Sequence, residues 1–333
     1  MQATRIAMIL IAASLSGCSA LSTVEPDTTG SLSAPVRPVA WTRSADALAP
    51  IPPEPVAEQA PRAETATLAP RGRAYLFRGV AGLLYSRGMD GLAERINRAG
   101  LTASVDSYLV WRAVAEEAIR DYRRAPVPIA LIGHSAGGDA ALAFAEVLDA
   151  ADIPVNLLVT YDPTRIADRV PPNVERYINI YQSRSVMGGG DVASGRGFHG
   201  HYASVDLTDH SEIEHINIEK AGRIQEQLVA KIGQLAATPA TGAAEAVPIH
   251  YTVPAHAAIE LWDSGMVVTG QAGDTLQKLA ATYRVPVWAL AQINRMSEHD
   301  TLGAGARIIV PRNIAPSTAA TAVPVMSYAP AAR

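Results

Sequence analysis

Cysteine, aromatic residues and surplus charge are all scarce in this sequence. The 333 residues contain a single cysteine, Cys18, so the chain cannot form an internal disulfide. A net charge of −4 provides neither a basic field for nucleic acid nor the acidic excess of a solvating tail. Aromatic residues make up 5% of the chain, whereas alanine and proline are abundant. This composition predicts folded cores joined by unstructured connectors, in a chain long enough for more than one domain.

The amino terminus has the pattern of an export signal, and it contains the single cysteine. Arg5 is followed by an apolar run over residues 6–15, which is shorter than the roughly 20 residues that span a bilayer. Residues 15–18 read Leu-Ser-Gly-Cys and resemble the lipobox of bacterial lipoproteins. The resemblance implies a signal peptide over residues 1–17 and a lipid on Cys18. The alternative is an ordinary signal peptide with an incidental cysteine.

The residue after the lipobox bears on the membrane that the lipid would enter. Ser19 is not the aspartate of an inner-membrane retention signal. In a Gram-negative cell, the resemblance therefore implies a cell-envelope protein on the periplasmic face of the outer membrane.

Three further segments lack hydrophobic periodicity. Residues 18–72 are rich in proline and alanine, and residues 236–265 and 313–333 are rich in alanine, threonine and proline. Proline lacks an amide donor and fixes φ, so such stretches favour extended states without a core. We predict a disordered tether, a linker and a disordered tail, in that order.

Residues 73–235, between the tether and the linker, alternate strand-like and helix-like patterns. The predicted strands are 74–80, 103–109, 128–132, 155–161 and 176–182, and the predicted helices are 88–100, 111–124, 139–150 and 221–235. Strands that alternate with helices of about 10–15 residues predict an α/β fold with a small, doubly wound, mostly parallel sheet.

A serine in a glycine-rich turn is the strongest chemical signal of this region. Residues 133–137 read Gly-His-Ser-Ala-Gly, directly after a predicted strand and before a predicted helix. In that context, a G-x-S-x-G pattern holds the serine on a strained turn at the top of a sheet. The alternative is a glycine-rich turn with a spectator serine. We expect Ser135 to be a nucleophile, with the Ala136 amide facing a developing oxyanion.

This segment resembles the nucleophile elbow of the α/β-hydrolase superfamily, in particular serine lipases and esterases. The resemblance covers residues 73–235 and implies the chain order nucleophile, acid, histidine. Asp162 follows the next predicted strand and is the candidate acid, although an aspartate before proline also opens turns. The resemblance places the histidine in the loop before the final helix, which selects His215.

Other histidines leave alternatives open. His210 is the second candidate for the triad, and His199 and His201 could instead cap or pack a loop that begins near Val186. All four histidines are expected after the last strands of the sheet. Together with Asp191, Asp206 and Asp209 they could bind a divalent metal, but their spacing matches no strong ligand motif. We predict no metal and no cofactor.

A second oxyanion donor is expected from the loop after the first strand. Gly79, Val80 and Ala81 occupy that place, and glycine lets backbone amides approach a substrate oxygen closely. The alternative is a plain strand-to-helix turn. The segment contains no recognisable lid insertion of the kind found in larger lipases.

A second family resemblance covers residues 266–312. Val-Thr-Gly-Gln-Ala-Gly-Asp-Thr-Leu at 268–276, a second helix ending at Asn294 and a closing strand before Pro311 closely resemble a LysM domain, with a β-α-α-β order. The resemblance implies binding of peptidoglycan or another glycan that contains N-acetylglucosamine. It places the groove between the loop of Gly273, Asp274, Thr275 and Leu276 and the loop at 297–302.

Two interpretations of the whole chain follow. The first is an envelope lipoprotein with acyl-esterase or lipase-like activity, which its LysM domain directs to peptidoglycan. The second is a non-catalytic tether between membrane and wall, with a degenerate hydrolase fold. The serine, the aspartate and the histidine follow one another in the expected order along the chain, which favours the enzyme. The sequence leaves lipids, acetyl esters of the wall and quorum-type molecules open as substrates.

Overall fold

A computed structural model of the chain describes residues 72–80, 82, 86–237 and 246–313. The predicted signal peptide, the tether up to residue 71 with Cys18, and the tail beyond residue 313 lie outside these residues. Ala81, one of the predicted oxyanion residues, also lies outside them.

Seven parallel strands form the larger sheet. They are β1 (Arg73–Arg78), β2 (Thr102–Ser107), β3 (Ile129–His134), β4 (Leu157–Tyr161), β5 (Arg176–Tyr181), β6 (His201–Asp206) and β7 (Ile249–Thr252). Their spatial order is β2-β1-β3-β4-β5-β6-β7, and every neighbouring pair is parallel. The connecting helices are α1 (Gly88–Arg98), α2 (Trp111–Arg124), α3 (Ala136–Asp149) and α4 (Gly222–Ala237).

The two faces of this sheet bury separate hydrophobic cores. In β1, Ala74 and Leu76 belong to the core that contains the apolar residues of α1 and α4. Tyr75 and Phe77 belong to the core that contains those of α2 and α3. Successive side chains of a strand point to opposite faces, so helices cover both sides of the sheet. The predicted doubly wound α/β fold is confirmed.

The carboxyl-terminal part forms a second, smaller unit of structure. Its elements are β8 (Trp262–Thr269), α5 (Leu276–Tyr283), α6 (Val287–Asn294) and β9 (Arg307–Asn313). Strands β8 and β9 are antiparallel, and Val267 pairs with Ile309. Leu276, Leu290 and Val310 lie in the core between the helices and this pair of strands. The predicted β-α-α-β order is confirmed.

Two strands of the large sheet differ from the sequence expectation. Strand β6 contains His201, which was expected in a loop after the last strand. Strand β7 lies within residues 236–265, which were expected to be a linker. Strand β7 has only four residues, and polar side chains interrupt the apolar pattern of β6: His201, Ser204 and Asp206.

The residues after β7 pack the smaller unit against the sheet. Trp262 is fully buried, and its ring lies 4.5 Å from Tyr251 of β7 and 5.8 Å from Trp288 of α6. The Gln292 side chain accepts from the Thr252 amide at 2.7 Å and donates to the Thr252 carbonyl at 3.2 Å. Gln292 thereby satisfies the backbone at the exposed edge of β7, which limits pairing with other strands.

No helix among the described residues is both long enough and apolar enough to cross a bilayer.

Candidate active site

Ser135 occupies a strained turn between β3 and α3. Its backbone has φ 56° and ψ −130°, which is a left-handed conformation that an L-residue rarely adopts. The flanking glycines allow this turn. A Cβ on Gly133 would lie 2.0 Å from the Gly137 carbonyl oxygen, and one on Gly137 would lie 2.2 Å from the Phe77 carbonyl oxygen. The turn therefore has the geometry expected of a nucleophile elbow, at the carboxyl edge of the sheet.

The structure brings Ser135, His215 and Asp162 together, although His215 lies 80 residues beyond Ser135. His215 Nε2 is 3.1 Å from Ser135 Oγ, and His215 Nδ1 is 2.6 Å from Asp162 Oδ2. A carboxylate can only accept, so Nδ1 carries the proton of the neutral imidazole and Nε2 is free to accept from the serine hydroxyl. This is the tautomer that a general base requires.

Asp162 is held in its charged form by donors on three sides. It follows β4 and is fully buried, and its second oxygen, Oδ1, accepts from the Gly189 amide at 2.7 Å and the Gln182 amide at 3.1 Å. Burial alone would raise the pKa of this carboxyl. The hydrogen bonds from His215 and the Gln182 amide outweigh burial, so the pKa lies below its ordinary value.

The glycine run after β5 also contributes to this arrangement. The sequence interpretation recognised only that a loop begins near Val186. A Cβ on Gly188 would lie 2.5 Å from Asp162 Oδ2, so a side chain at this position would collide with the carboxyl group. The available signal was three successive glycines, at 188–190, in the loop after a strand.

A buried hydrogen-bond chain behind the triad was also missed. His134 Nε2 is 2.7 Å from the His215 carbonyl oxygen, and His134 Nδ1 is 2.8 Å from Ser86 Oγ. Ser86 in turn accepts from the Gly79 amide at 3.3 Å. The carbonyl oxygen requires a donor, so Nε2 carries the proton and Nδ1 accepts from the serine hydroxyl. The chain ties the loop after β1 and the backbone of His215 to the elbow.

His134 is uncharged in this chain. Burial, and after it the repulsion that a protonated His215 would exert, lower the pKa of His134 to about 4. The only sequence signal was its place, immediately before the candidate nucleophile Ser135.

The predicted oxyanion residues fall into different environments. Ala136 is the first residue of α3, so its amide lies at the helix amino terminus next to Ser135. The Gly79 amide is already bonded to Ser86, which makes it unsuited to hold a substrate oxygen. Among the described residues of this loop, the Val80 amide therefore remains as the second candidate, and Val80 is 63% exposed.

The other histidines lie outside the triad. His210 is buried, with Nδ1 2.9 Å from Glu212 Oε1. His199 bonds to the Gly197 carbonyl in an exposed loop. His201 begins β6, at the opposite edge of the sheet from Ser135, and contacts Ser264 at 2.8 Å. Among the described residues, no three histidine, aspartate or glutamate side chains group as metal ligands.

The predicted glycan loop is ordered by its own side chains. Asp274 is buried; its carboxylate accepts from the Gln271 amide at 2.9 Å and from Lys278 Nζ at 2.7 Å. Leu276 is fully buried in the core of the smaller unit and does not reach the surface. Gly273 is exposed and Thr275 is partly exposed. Only these two of the four predicted contacts are open to a ligand.

The second loop of the predicted groove lies beside the first. The Leu302 amide donates to the Asp274 carbonyl at 2.7 Å, and Thr275 pairs with Thr301 in an isolated bridge. The structure thus joins the two loops that the resemblance named.

Comparison with known proteins identifies the smaller unit. Residues 271–311 match the family model of the LysM domain, so the chain carries a LysM domain after the α/β region with the seven-stranded parallel sheet. Such a domain indicates an extracellular or cell-envelope location. A search of curated proteins gives no match.

Solved structures similar to this chain were also found. One is a protein of the alpha/beta hydrolase superfamily from Xanthomonas campestris pv. campestris, with 14% identity over 50% of this chain and 98% of that one, and a TM-score of 0.31. Another is the esterase domain of a Rhodothermus marinus protein, with 16% identity, 50% and 88% coverage, and a TM-score of 0.36. A third is RedJ with a polyethylene glycol molecule in its active site, with 22% identity and a TM-score of 0.23. The match to RedJ covers 29% of this chain and 45% of that one.

Proposed function

We propose that this protein is a serine hydrolase that cleaves carboxylic esters and is held at the cell wall by its LysM domain. The observation that carries the proposal is the continuous hydrogen-bond chain from Ser135 through His215 to Asp162, with steps of 3.1 and 2.6 Å. A spectator serine would need neither a left-handed backbone nor an imidazole oriented by a buried carboxylate.

The proposed reaction proceeds by acyl transfer. Ser135 Oγ attacks the ester carbonyl carbon while His215 Nε2 takes the hydroxyl proton, and a tetrahedral intermediate forms. The protonated His215 then gives its proton to the leaving alcohol oxygen as the carbon–oxygen bond breaks. Water, deprotonated by His215, then attacks the acyl carbon to form a second tetrahedral intermediate. His215 returns this proton to Ser135 Oγ as the acyl–oxygen bond breaks, which releases the acid and free Ser135. Asp162 stabilises the imidazolium at both steps.

The oxyanion of each intermediate needs donors on the side opposite His215. The Ala136 amide at the start of α3 is the first proposed donor, since it also benefits from the positive end of the helix. The Val80 amide is the second. The bond between Gly79 and Ser86 would fix the position of the loop that carries Val80.

The LysM domain is proposed to bind peptidoglycan or another glycan with N-acetylglucosamine, at the groove between the loops at 273–276 and 297–302. Gly273 and Thr275 are the proposed contacts, because Asp274 and Leu276 are engaged inside the domain. A lipid on Cys18 would place the same chain on a membrane; loss of fatty-acid labelling in Cys18→Ala tests that anchor.

Fluorophosphonate labelling tests the catalytic proposal without a choice of substrate. The wild type should label on one serine, and Ser135→Ala and His215→Ala should not label. His210→Ala is the matched control, because His210 is a buried histidine of the same loop that does not contact Ser135. Labelling that survives Ser135→Ala would overturn the assignment of the nucleophile.

Binding to purified sacculi tests the glycan proposal with the full chain. The protein should sediment with sacculi, and soluble oligomers of N-acetylglucosamine should release it. Binding without any labelling or ester hydrolysis would favour the alternative of a non-catalytic tether. Sedimentation that the oligomers do not affect would count against the LysM groove.

A further inference from the structure

The large apolar side chains that stay exposed among the described residues share one location. Each follows the carboxyl end of a strand of the parallel sheet, at the edge where Ser135 lies. They are Val80 after β1, Leu109 and Val110 after β2, Ile166 after β4, Val186 and Met187 after β5, and Ile216 after β6. Scattered exposed apolar residues are ordinary, but here they are confined to the edge that carries the triad.

Three of these side chains line a single cavity together with the triad histidine. Val186, Met187 and Ile216 border a space of about 460 Å³ that His215 also lines. This volume is within the range of about 300–1,000 Å³ typical of small-molecule sites. Val186 is 98% exposed and Met187 61% exposed, so no other part of the described chain covers them.

The loops that carry these side chains are anchored, so the apolar surface is not a by-product of an unsupported segment. Arg165 donates to the Ser183 and Ser185 carbonyls at 2.9 Å, and Gly189 donates to Asp162. The Gln182 side chain donates to the Ile213 carbonyl and thereby joins the two loops. The apolar groups are therefore held beside the imidazole by bonds that also orient the triad.

The cavity lining carries one charged side chain of each sign, and the basic one, Arg184, lies 4.0 Å from Asp209. The acidic one is Glu214. The cavity consequently offers no net charge to an ionic substrate, and its apolar side chains gain contact only from an uncharged chain.

We propose that this cavity binds an alkyl chain of the ester substrate, and that the enzyme prefers esters with long apolar chains to acetyl esters. The inference rests on the proposed serine hydrolase function and deepens it, since a chain in contact with His215 lies next to the bond that is cleaved. Either the acyl chain or the alcohol chain of the ester could supply this apolar group, and two substrate series distinguish them.

The test measures kcat/KM of the full-length protein for two ester series, each below its solubility limit. One series lengthens the acyl chain from p-nitrophenyl acetate to octanoate, and the other lengthens the alcohol chain from methyl to heptyl acetate, so that each adds six methylenes. Full burial of a methylene increases binding about fourfold, and an open cavity reduces this to about twofold. We therefore expect a rise on the order of 50-fold across six methylenes in one series.

Variants identify the surface responsible. The double variant Met187→Gln/Ile216→Thr should reduce the rise to less than about fivefold, with kcat/KM for each ester taken relative to the variant's own value for the acetate. Ile166→Thr is the matched control, because Ile166 is 89% exposed at the same edge and does not line the cavity. The control should keep the wild-type chain-length profile.

The possible failures are distinguishable. Turnover of acetate with a flat profile in both series would overturn the alkyl-chain site and leave the hydrolase function intact. A rise that the double variant does not reduce would also overturn this site. Absence of both hydrolysis and fluorophosphonate labelling would instead remove the proposed function on which the inference rests.

Discussion

Two helices of this protein begin next to a small hydroxyl side chain, and the two starts are built in opposite ways. Thr275 precedes α5 with extended backbone, φ −118° and ψ 159°, and its Oγ1 accepts from the Lys278 amide at 3.2 Å. Ser135 precedes α3 with φ 56°, and its hydroxyl accepts no bond from the helix. The first hydroxyl caps a helix, whereas the second is left available to His215.

The difference shows how much stability the α/β region loses at the edge where the proposed catalytic serine lies. An N-cap hydroxyl contributes about 1 kcal/mol to stability, and a left-handed serine costs on the order of 1–3 kcal/mol. The surrounding backbone offsets this cost: the Ser135 amide donates to the Tyr161 carbonyl at 2.9 Å, and the Ser135 carbonyl accepts from the Gly138 amide at 2.7 Å. The LysM region contains no comparable strain at its helix start.

Removal of the Ser135 hydroxyl should therefore abolish activity with little change in stability, whereas removal of the Thr275 hydroxyl should reduce stability with no change in activity. The largest effect is expected at Ser135. Ser135→Ala should lower kcat for ester hydrolysis by about four to six orders of magnitude, because triad members act as a unit. Its free energy of unfolding should stay within about 0.5 kcal/mol of wild type, since the hydroxyl caps nothing. Steady-state kinetics and urea unfolding measure the two quantities.

Asp162→Asn provides the comparison within the triad. It should cost no more than Ser135→Ala in kcat, since its role is orientation of the imidazole. A Ser135→Ala variant that loses several kcal/mol of stability would contradict the contrast between the two helix starts.

The same contrast explains what the sequence could and could not predict. The elbow and the LysM loop are local, so glycine spacing and helix-capping residues reveal both of them. Strand β6 was missed because His201, Ser204 and Asp206 interrupt its apolar pattern. In the structure each is bonded from elsewhere: His201 to Ser264, Ser204 to Asp191, and Asp206 to the Ser183 amide.

The parts of the site that were missed depend on long-range contacts. His134 and Ser86 lie 48 residues apart, and Gly189 and Asp162 lie 27 apart. Strand β7 was assigned to a linker because four residues, Ile-His-Tyr-Thr, are too few to establish an alternating pattern, and its place is set by pairing with β6. Partners of this kind become visible only when the strands are assembled.

Acid should destabilise the α/β region more than the LysM region, because a buried histidine lies behind the turn that carries Ser135. The pKa of His134 is lowered to about 4, against about 6.5 in an unfolded chain. Between these values the unfolded state binds a proton that the folded state does not, so stability falls as the pH falls from 6.5 to 4. The expected loss from this group is about 3 kcal/mol.

His134→Gln isolates this contribution. Glutamine retains a donor for the His215 carbonyl and an acceptor for Ser86, but it does not titrate. Urea unfolding at pH 7.5 should show that the variant folds, and measurements from pH 6.5 to pH 4.5 should give a shallower dependence than in wild type. Equal slopes for the two proteins would mean that His134 is not the group responsible.

The smallest expected effect is at the capped helix of the LysM domain. Thr275→Ala removes the hydroxyl that accepts from the Lys278 amide and should destabilise α5 by about 1 kcal/mol. Amide hydrogen exchange across residues 276–283 of the full chain should therefore become about fivefold faster. Ester hydrolysis should not change, because none of the hydrogen bonds that orient the triad involves this helix. Thr282→Ala is the matched control: Thr282 lies in the same helix and its hydroxyl donates to the Lys278 carbonyl, while alanine is the better helix former. Exchange in this control should stay at or below the wild-type rate. If both variants accelerated exchange equally, the cap would have no special role, and the difference between the two helix starts would reduce to the strain at Ser135 alone.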